Sequence, residues 1–236
     1  MKDSDLLTVI IERLSSFDIR KCGPYPETTN DFKRAAVLLP LTVKNGEIFI
    51  LLTKRSKNLR THPSAVSFPG GVRDNSDKTD VETALREAKE EIGLPPECVK
   101  ILAILTRGVT LPNTVVYPVV GLIQNNFKPV PNPSEVEFAF YMPLKDFLNE
   151  EKISYSTFNV RGRKFLSRSV KYSDGEKSAN VWGFTANYCI FLAKIVHGLP
   201  DFLPVFDDSK DSKDNTLQAG LVEYFNFVTS MTKSKL

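Results

Sequence analysis

In the stretch Arg86-Glu87-Ala88-Lys89-Glu90-Glu91-Ile92-Gly93-Leu94, glutamates stand at i, i+3 and i+4. On a helix this spacing stacks Glu87, Glu90 and Glu91 on one face. Val81, Ala84, Leu85, Ala88 and Ile92 fall on a separate apolar stripe. Such a helix buries one side and concentrates negative charge on another. Crowded carboxylates repel unless a cation neutralises them. A hard divalent ion such as Mg²⁺ takes oxygen ligands and keeps waters for chemistry or for substrate phosphates. The pattern equally describes a solvated acidic helix face, so the glutamates alone leave both readings open.

The flanking residues are those that would position such a helix. Phe68-Pro69-Gly70-Gly71 is a turn signal just before it, and Thr79 with Glu82 three residues on reads as a capping box. Gly93 suits the C-cap, and Pro95-Pro96 prevent continuation. Arg86 precedes Glu90 by four residues and pairs with it along the helix. Further upstream, residues 34–43 and 47–53 are apolar, strand-like runs around the hairpin dipeptide Asn45-Gly46. The second run delivers Lys54, Arg55 and, further on, Arg60 toward Gly70-Gly71. Arg offers phosphate a planar fork and Lys a point charge; the competing reading is a strand end capped by solvated cations. His62 reads first as a turn residue and second as a substrate contact.

Gly71 followed by Arg86 to Leu94 resembles the Nudix box, G-x5-E-x7-R-E-U-x-E-E-x-G-U with U apolar. The second half matches at every specified position. In the first half Asp77 stands in place of Glu, and eight rather than seven residues separate it from Arg86. The first Glu of the family box has mainly a supporting role, so this departure bears on loop geometry more than on metal binding. Leu51-Leu52-Thr53-Lys54-Arg55-Ser56, Leu59-Arg60, His62 and Phe68-Pro69-Gly70-Gly71 are similar to the motif of the coenzyme A diphosphatases within the superfamily. Ser64-Ala65 replaces the Gly-Glu or Gly-Gln usual there.

The resemblance implies an α/β fold, a Nudix-like α/β/α sandwich with a mixed central sheet and the acidic helix against it. It implies Mg²⁺ or Mn²⁺ held by Glu87, Glu90 and Glu91, with Glu90 as ligand or general base and Glu135 as an additional candidate ligand. Arg86 joins the catalytic group, and Lys54, Arg55, Arg60, Gly70 and Gly71 face substrate. The implied reaction is hydrolysis of the diphosphate of coenzyme A or its thioesters, giving 3′,5′-ADP and 4′-phosphopantetheine or its acylated form. The alternatives are a diphosphatase for ADP-ribose or a nicotinamide dinucleotide, and a non-catalytic nucleotide-binding module.

The rest of the chain constrains the setting. Its 236 residues suffice for one generous core, with an N-terminal helix and lead-in over 1–33, a catalytic domain over 34–233 and a terminal tripeptide at 234–236. A net charge of +3 is too small to argue for nucleic acid as a partner by itself, and none is expected, while a local basic mouth for an anionic small molecule is compatible with it. No apolar run reaches membrane-spanning length. Cys22, Cys98 and Cys189 are few and widely spaced, which fits a reducing compartment. Asp3 and Asp5 deny the N-terminus the basic region of a secretory signal.

Strands are expected over 99–105, 115–123 and 135–142, a short helix over 143–150, a basic hairpin over 155–172, and helices over 186–197 and 217–228. In the 135–142 strand, Glu135 or Glu137 reaches the metal region or faces solvent. His197, ending its helix, suits a C-terminal cap. Ser234-Lys235-Leu236 reads as a peroxisomal address recognised by an import receptor.

Overall fold

The computed structural model describes residues 3–21, 32–111, 113–160 and 162–200, with positions 220, 223, 224, 226 and 227 of a C-terminal helical segment. The lead-in around Gly23-Pro24-Tyr25-Pro26, Cys22, most of the expected last helix and Ser234-Lys235-Leu236 lie outside the described residues.

Helix α1, Asp3–Ser15, buries Leu6, Ile10 and Leu14 at i, i+4 spacing. Strand β1 (Lys33–Lys44) and β2 (Glu47–Arg55) form the hairpin that Asn45-Gly46 requires, both residues taking positive φ (54° and 74°). Short strands β3 (Val66–Ser67) and β4 (Gly70–Val72) follow, then helix α2 (Asp80–Ile92). Next come β5 (Lys100–Ile104), β6 (Gly108–Thr110), β7 (Thr114–Leu122) and β8 (Val136–Pro143). The chain continues with β9 (Ile153–Val160), β10 (Arg163–Ser173), β11 (Ser178–Trp182) and helix α3 (Gly183–His197).

The first eight strands make one mixed sheet. β1 and β7 run parallel and every other pairing is antiparallel. β1 and β2 pair only near their turn, from Leu41↔Ile50 to Lys44↔Glu47, and then diverge. The run β3-Phe68-Pro69-β4 fills the fork. β3 pairs with Thr53 and Lys54 of β2, while β4 pairs with Ala35 to Val37 of β1. The Leu38 N–H donates to the Pro69 carbonyl between them (2.8 Å). The glycine loop is thus part of the sheet ladder.

Two cores sandwich the sheet. On one face α2 packs Ala84, Ala88 and Ile92 against Ala36, Leu38, Leu51 and Val119. On the other, α1 and α3 pack against Leu39, Ile50 and Leu52. The expected α/β/α arrangement with a mixed central sheet is therefore present. The basic hairpin expected over 155–172 is β9–β10. It gains β11, which the sequence reading did not foresee, and becomes a separate three-stranded sheet. Ile153, Val170 and Val181 of this second sheet enter the α3-side core, and Tyr172 stacks on Phe140 of β8 with centroids 4.1 Å apart. The short helix expected over 143–150 is a 3₁₀ turn, Leu144–Leu148. At the end of α3 it is Arg13 of α1 that donates to the Val196 carbonyl. Burial, with the charge of Arg13, holds His197 below its ordinary pKa.

Candidate metal and phosphate site

The sequence holds α2 at both ends. Thr79 accepts from the Glu82 N–H (3.1 Å), and Glu82 reaches back to the Lys78 N–H (2.6 Å). Gly93 closes the helix at φ 68°, its N–H on the Lys89 carbonyl. The last carbonyls, which a helix cannot satisfy internally, receive a loop: the Asn132 N–H donates to Glu91 O and the Val130 N–H to Ile92 O, both at 2.9 Å. Asn132 also shapes the turn that follows, accepting from the Ser134 N–H and hydroxyl (3.2 and 2.7 Å). Its side-chain amide donates to Glu135 Oε1 (3.4 Å). The loop therefore carries Glu135 back over the helix that bears Glu87 and Glu91.

Carboxylate oxygens of Glu87, Glu91 and Glu135 converge within 4.8 Å of one another. Glu91 is only 2% exposed, and its Oε2 accepts a 3.3 Å hydrogen bond from the Gly70 N–H. Burial pushes its pKa up to about 8, against the pull of Arg55, and Glu87 adds to the rise. Glu87 is also raised, chiefly by burial, with Arg86 opposing. Gly71 has to be glycine here, because a Cβ would sit 2.5 Å from the Glu87 carboxylate. At Gly70 a Cβ would meet the Ala36 carbonyl at the same distance.

Glu90 stands apart. Its side chain is 51% exposed and lies on Arg86 at 3.1 Å. Helix geometry accounts for this: Glu87 and Glu91 lie about 40° apart around the axis, whereas Glu90 is about 100° round from Glu91. The spacing that groups three glutamates on one broad face brings two of them into the cluster and leaves the third at its rim. Glu135, a secondary candidate in the sequence, takes the third place. Glu137, two residues on, instead pairs with Lys54 at 3.4 Å.

Arg86 is a half-buried hub. Its guanidinium meets Asp77 (2.9 Å), Glu87 (3.0 Å), Glu90 (3.1 Å) and the Val72 carbonyl (3.2 Å). Asp77, the residue that departs from the box, is buried, and Arg86 holds its pKa down to about 2. The longer loop folds into a turn in which the Asp77 N–H donates to the Asp74 carbonyl (3.1 Å) and the Asp74 N–H to Asp77 Oδ2 (2.9 Å). The shorter acid in the longer loop thus reaches the arginine directly. A cleft of about 510 Å³ opens beside it, lined by Lys33, Arg34, Arg73 and Asp77 among others. Arg34 and Arg73 both lean on Asp80, at 2.6 and 3.9 Å.

The three expected phosphate-binding cations part company. Alternation along β2 puts Arg55 with Leu51 on the α2 face and Lys54 with Leu52 on the other. Arg55 Nη1 lies 3.8 Å from Glu91, and its buried Nε has no hydrogen-bond partner among the described residues. Lys54 lies against Phe138, its ammonium 5.3 Å from the ring centroid. Arg60 is exposed in the loop after β2. His62 and Ser64 in that loop take left-handed backbone, φ 50° and 60°. For His62 this fits the turn reading. At Ser64, where the related motif has Gly, the backbone asks for the residue that is missing.

Three carboxylates, two of them with pKa values raised chiefly by burial, make a hard all-oxygen donor set. That chemistry fits Mg²⁺ or Mn²⁺ rather than a softer ion. Residues 32–160 match the family model described as the NUDIX domain. Curated relatives include Nudix hydrolase 15, mitochondrial, of Arabidopsis thaliana, 40% identical over 71% of this chain and 60% of its own length. Nudix hydrolase 22, chloroplastic, from the same plant is 39% identical over 75% of this chain and 59% of its own. The peroxisomal coenzyme A diphosphatase NUDT7 of Mus musculus is 37% identical over 68% and 69%. The chain thus spans about 60% of the length of the two plant relatives. With the box and a family match over more than half its residues, the chain belongs to the Nudix hydrolase family, whose members generally require divalent metal ions.

Proposed function

We propose that the protein hydrolyses the diphosphate of coenzyme A and its thioesters, giving 3′,5′-ADP and 4′-phosphopantetheine or its acylated form. The observation that carries the diphosphatase reading is the convergence of Glu87, Glu91 and Glu135 beside Arg55, whose buried Nε has no partner among the described residues. Coenzyme A as the substrate is supported by the residue pattern from Leu51 to Gly71 and by the mouse relative.

Glu87, Glu91 and Glu135 would hold the metal. A divalent ion, when bound, neutralises phosphate oxygens and acidifies a coordinated water. Arg55 binds a phosphate oxygen through the free face of its guanidinium and limits repulsion at Glu91. Glu90, at the rim, has one carboxylate oxygen on Arg86 and offers the other as general base for the attacking water. Arg86 sets the rotamers of Glu87 and Glu90 together. Gly70 and Gly71 present backbone alone, so a phosphate approaches without a side chain in its way. Transfer to water then needs mostly positioning and charge stabilisation.

The test is an assay of the purified protein against coenzyme A, ADP-ribose and reduced nicotinamide dinucleotide, each with and without Mg²⁺. Coenzyme A should be cleaved preferentially and only with the ion. Preferred cleavage of either competitor overturns the substrate reading. Ser234-Lys235-Leu236 supports peroxisomal delivery through an import receptor; a fluorescent fusion that loses punctate localisation when the tripeptide is removed would bear this out.

A further inference from the structure

We propose that Lys177 and Lys54 form a phosphomonoester subsite at the edge of the central sheet. This subsite would read the 3′-phosphate of a nucleotide whose diphosphate lies at the carboxylate cluster. The proposal rests on the coenzyme A reading and adds a residue from outside the segment that matches the family.

Lys177 sits at the tip of the β10–β11 hairpin, past residue 160 where the family match ends. Two contacts fix that tip. Tyr172 stacks on Phe140 of β8 (4.1 Å) and its hydroxyl donates to Asp174 (3.0 Å). Asp174 in turn accepts from the backbone N–H groups of Glu176 and Lys177 (3.0 and 2.8 Å). The acid nearest Lys177 is thereby engaged in shaping the turn. The Lys177 ammonium is carried to Phe138, 5.3 Å from the ring centroid, the same distance as Lys54.

Two ammonium groups thus share one aromatic ring, so they stand no further apart than twice that distance. Cation–π contact favours each singly, but the two repel one another. Two carboxylates lie nearby: Glu137, 43% exposed and 3.4 Å from Lys54, and Asp174, which is drawn to Lys177 but committed to the turn. Lys177 has no ion pair within 4 Å among the described residues. A dianionic phosphomonoester placed between them would relieve the repulsion and satisfy donors on both sides.

The location separates this charge from the reacting diphosphate. Lys54 and Phe138 face the α3 side of the sheet, whereas Arg55, Glu91 and Glu135 gather on the α2 side. Phe138 of β8 follows Glu135, which immediately precedes the strand, by three residues, about 10 Å. A nucleotide with a diphosphate at one ribose carbon and a phosphate at another would straddle the edge of β8, one group on each side.

The test compares wild-type protein and Lys177→Met on coenzyme A and on dephospho-coenzyme A, and measures calorimetric binding of 3′,5′-ADP and of 5′-AMP. In the variant the kcat/KM ratio of coenzyme A to dephospho-coenzyme A should fall about tenfold, through KM, and the preference for 3′,5′-ADP over 5′-AMP should fall by a similar factor. Lys177→Arg should keep most of both. An unchanged ratio, or an equal loss on both substrates, overturns the subsite. If the wild type cleaves neither compound, the functional reading fails, while the 3′,5′-ADP and 5′-AMP comparison still judges Lys177.

Discussion

Glu91 is the residue at which the physics is most sharply drawn. It is a buried carboxyl beside two others, with one backbone N–H and a distant arginine as partial relief. Glu91→Gln keeps the shape and removes the charge. Turnover should drop by at least about 10²-fold, and Mg²⁺ should no longer raise the melting temperature. Glu90→Gln separates ligand from base. It should also lose about 10²–10⁴-fold in turnover yet keep the Mg²⁺-induced rise in melting temperature, since its side chain stands outside the cluster. Loss of that rise in Glu90→Gln would make Glu90 a ligand. The i, i+4 pair Glu87 and Glu91 was legible in the sequence because helix geometry alone dictates it. Glu135 was legible only as one of two choices on an alternating strand. What selects it over Glu137 is the Asn132 hook on the carbonyls ending α2, a tertiary contact that no local period encodes.

Among the elements, the loops between β2 and α2 carry the departures from the family pattern, and the structure gives each a physical consequence. Asp77 reaches Arg86 through a longer turn. Asp77→Ala would leave Arg86 short of its principal partner and is expected to cost about 1–3 kcal/mol, read as a lower urea midpoint, with slackened positioning of Glu87. Ser64 adopts φ 60° where glycine is the comfortable residue. Ser64→Gly should stabilise by about 0.5–1 kcal/mol, the relief of left-handed strain less the entropy glycine gives the unfolded chain; a lower urea midpoint would contradict this. The hairpin at Asn45-Gly46 and the caps of α2 were readable because their signals are chemical and local. β11 was not, because Ser178 to Trp182 is short, runs straight into the helix that follows, and becomes a strand only by pairing with β10. The parting of Lys54 and Arg55 follows from strand alternation, but which of the two meets the acids depends on which face α2 covers.

At the scale of the molecule, the titrations oppose one another. In metal-free protein the Glu91 pKa of about 8 lies above its ordinary 4.5, so the folded state holds a proton that the unfolded chain releases between those values. That contribution is complete below pH 4.5 and is lost as pH rises toward 8. Asp77 works in the opposite sense. Its pKa of about 2 lies below 3.8, so its contribution is present above 3.8 and lost as pH falls toward 2. Melting temperatures in a chelator should therefore decline from pH 5 to pH 8. Added Mg²⁺, which competes with the proton at Glu91, should stabilise more at pH 8 than at pH 5. A Mg²⁺ effect independent of pH would place the ion elsewhere.

The wedge between β1 and β2 has a further consequence for how such a protein could change its diet. A loop whose amides are rungs of the central ladder cannot swing aside to admit a differently shaped molecule without unzipping the strands that hold it. Novelty in what is accepted has to come from parts hung outside that frame. The second sheet, whose inner face is anchored in the α3-side core while its hairpin tip projects beside β8, is such a part: an adjustable attachment beside a fixed tool.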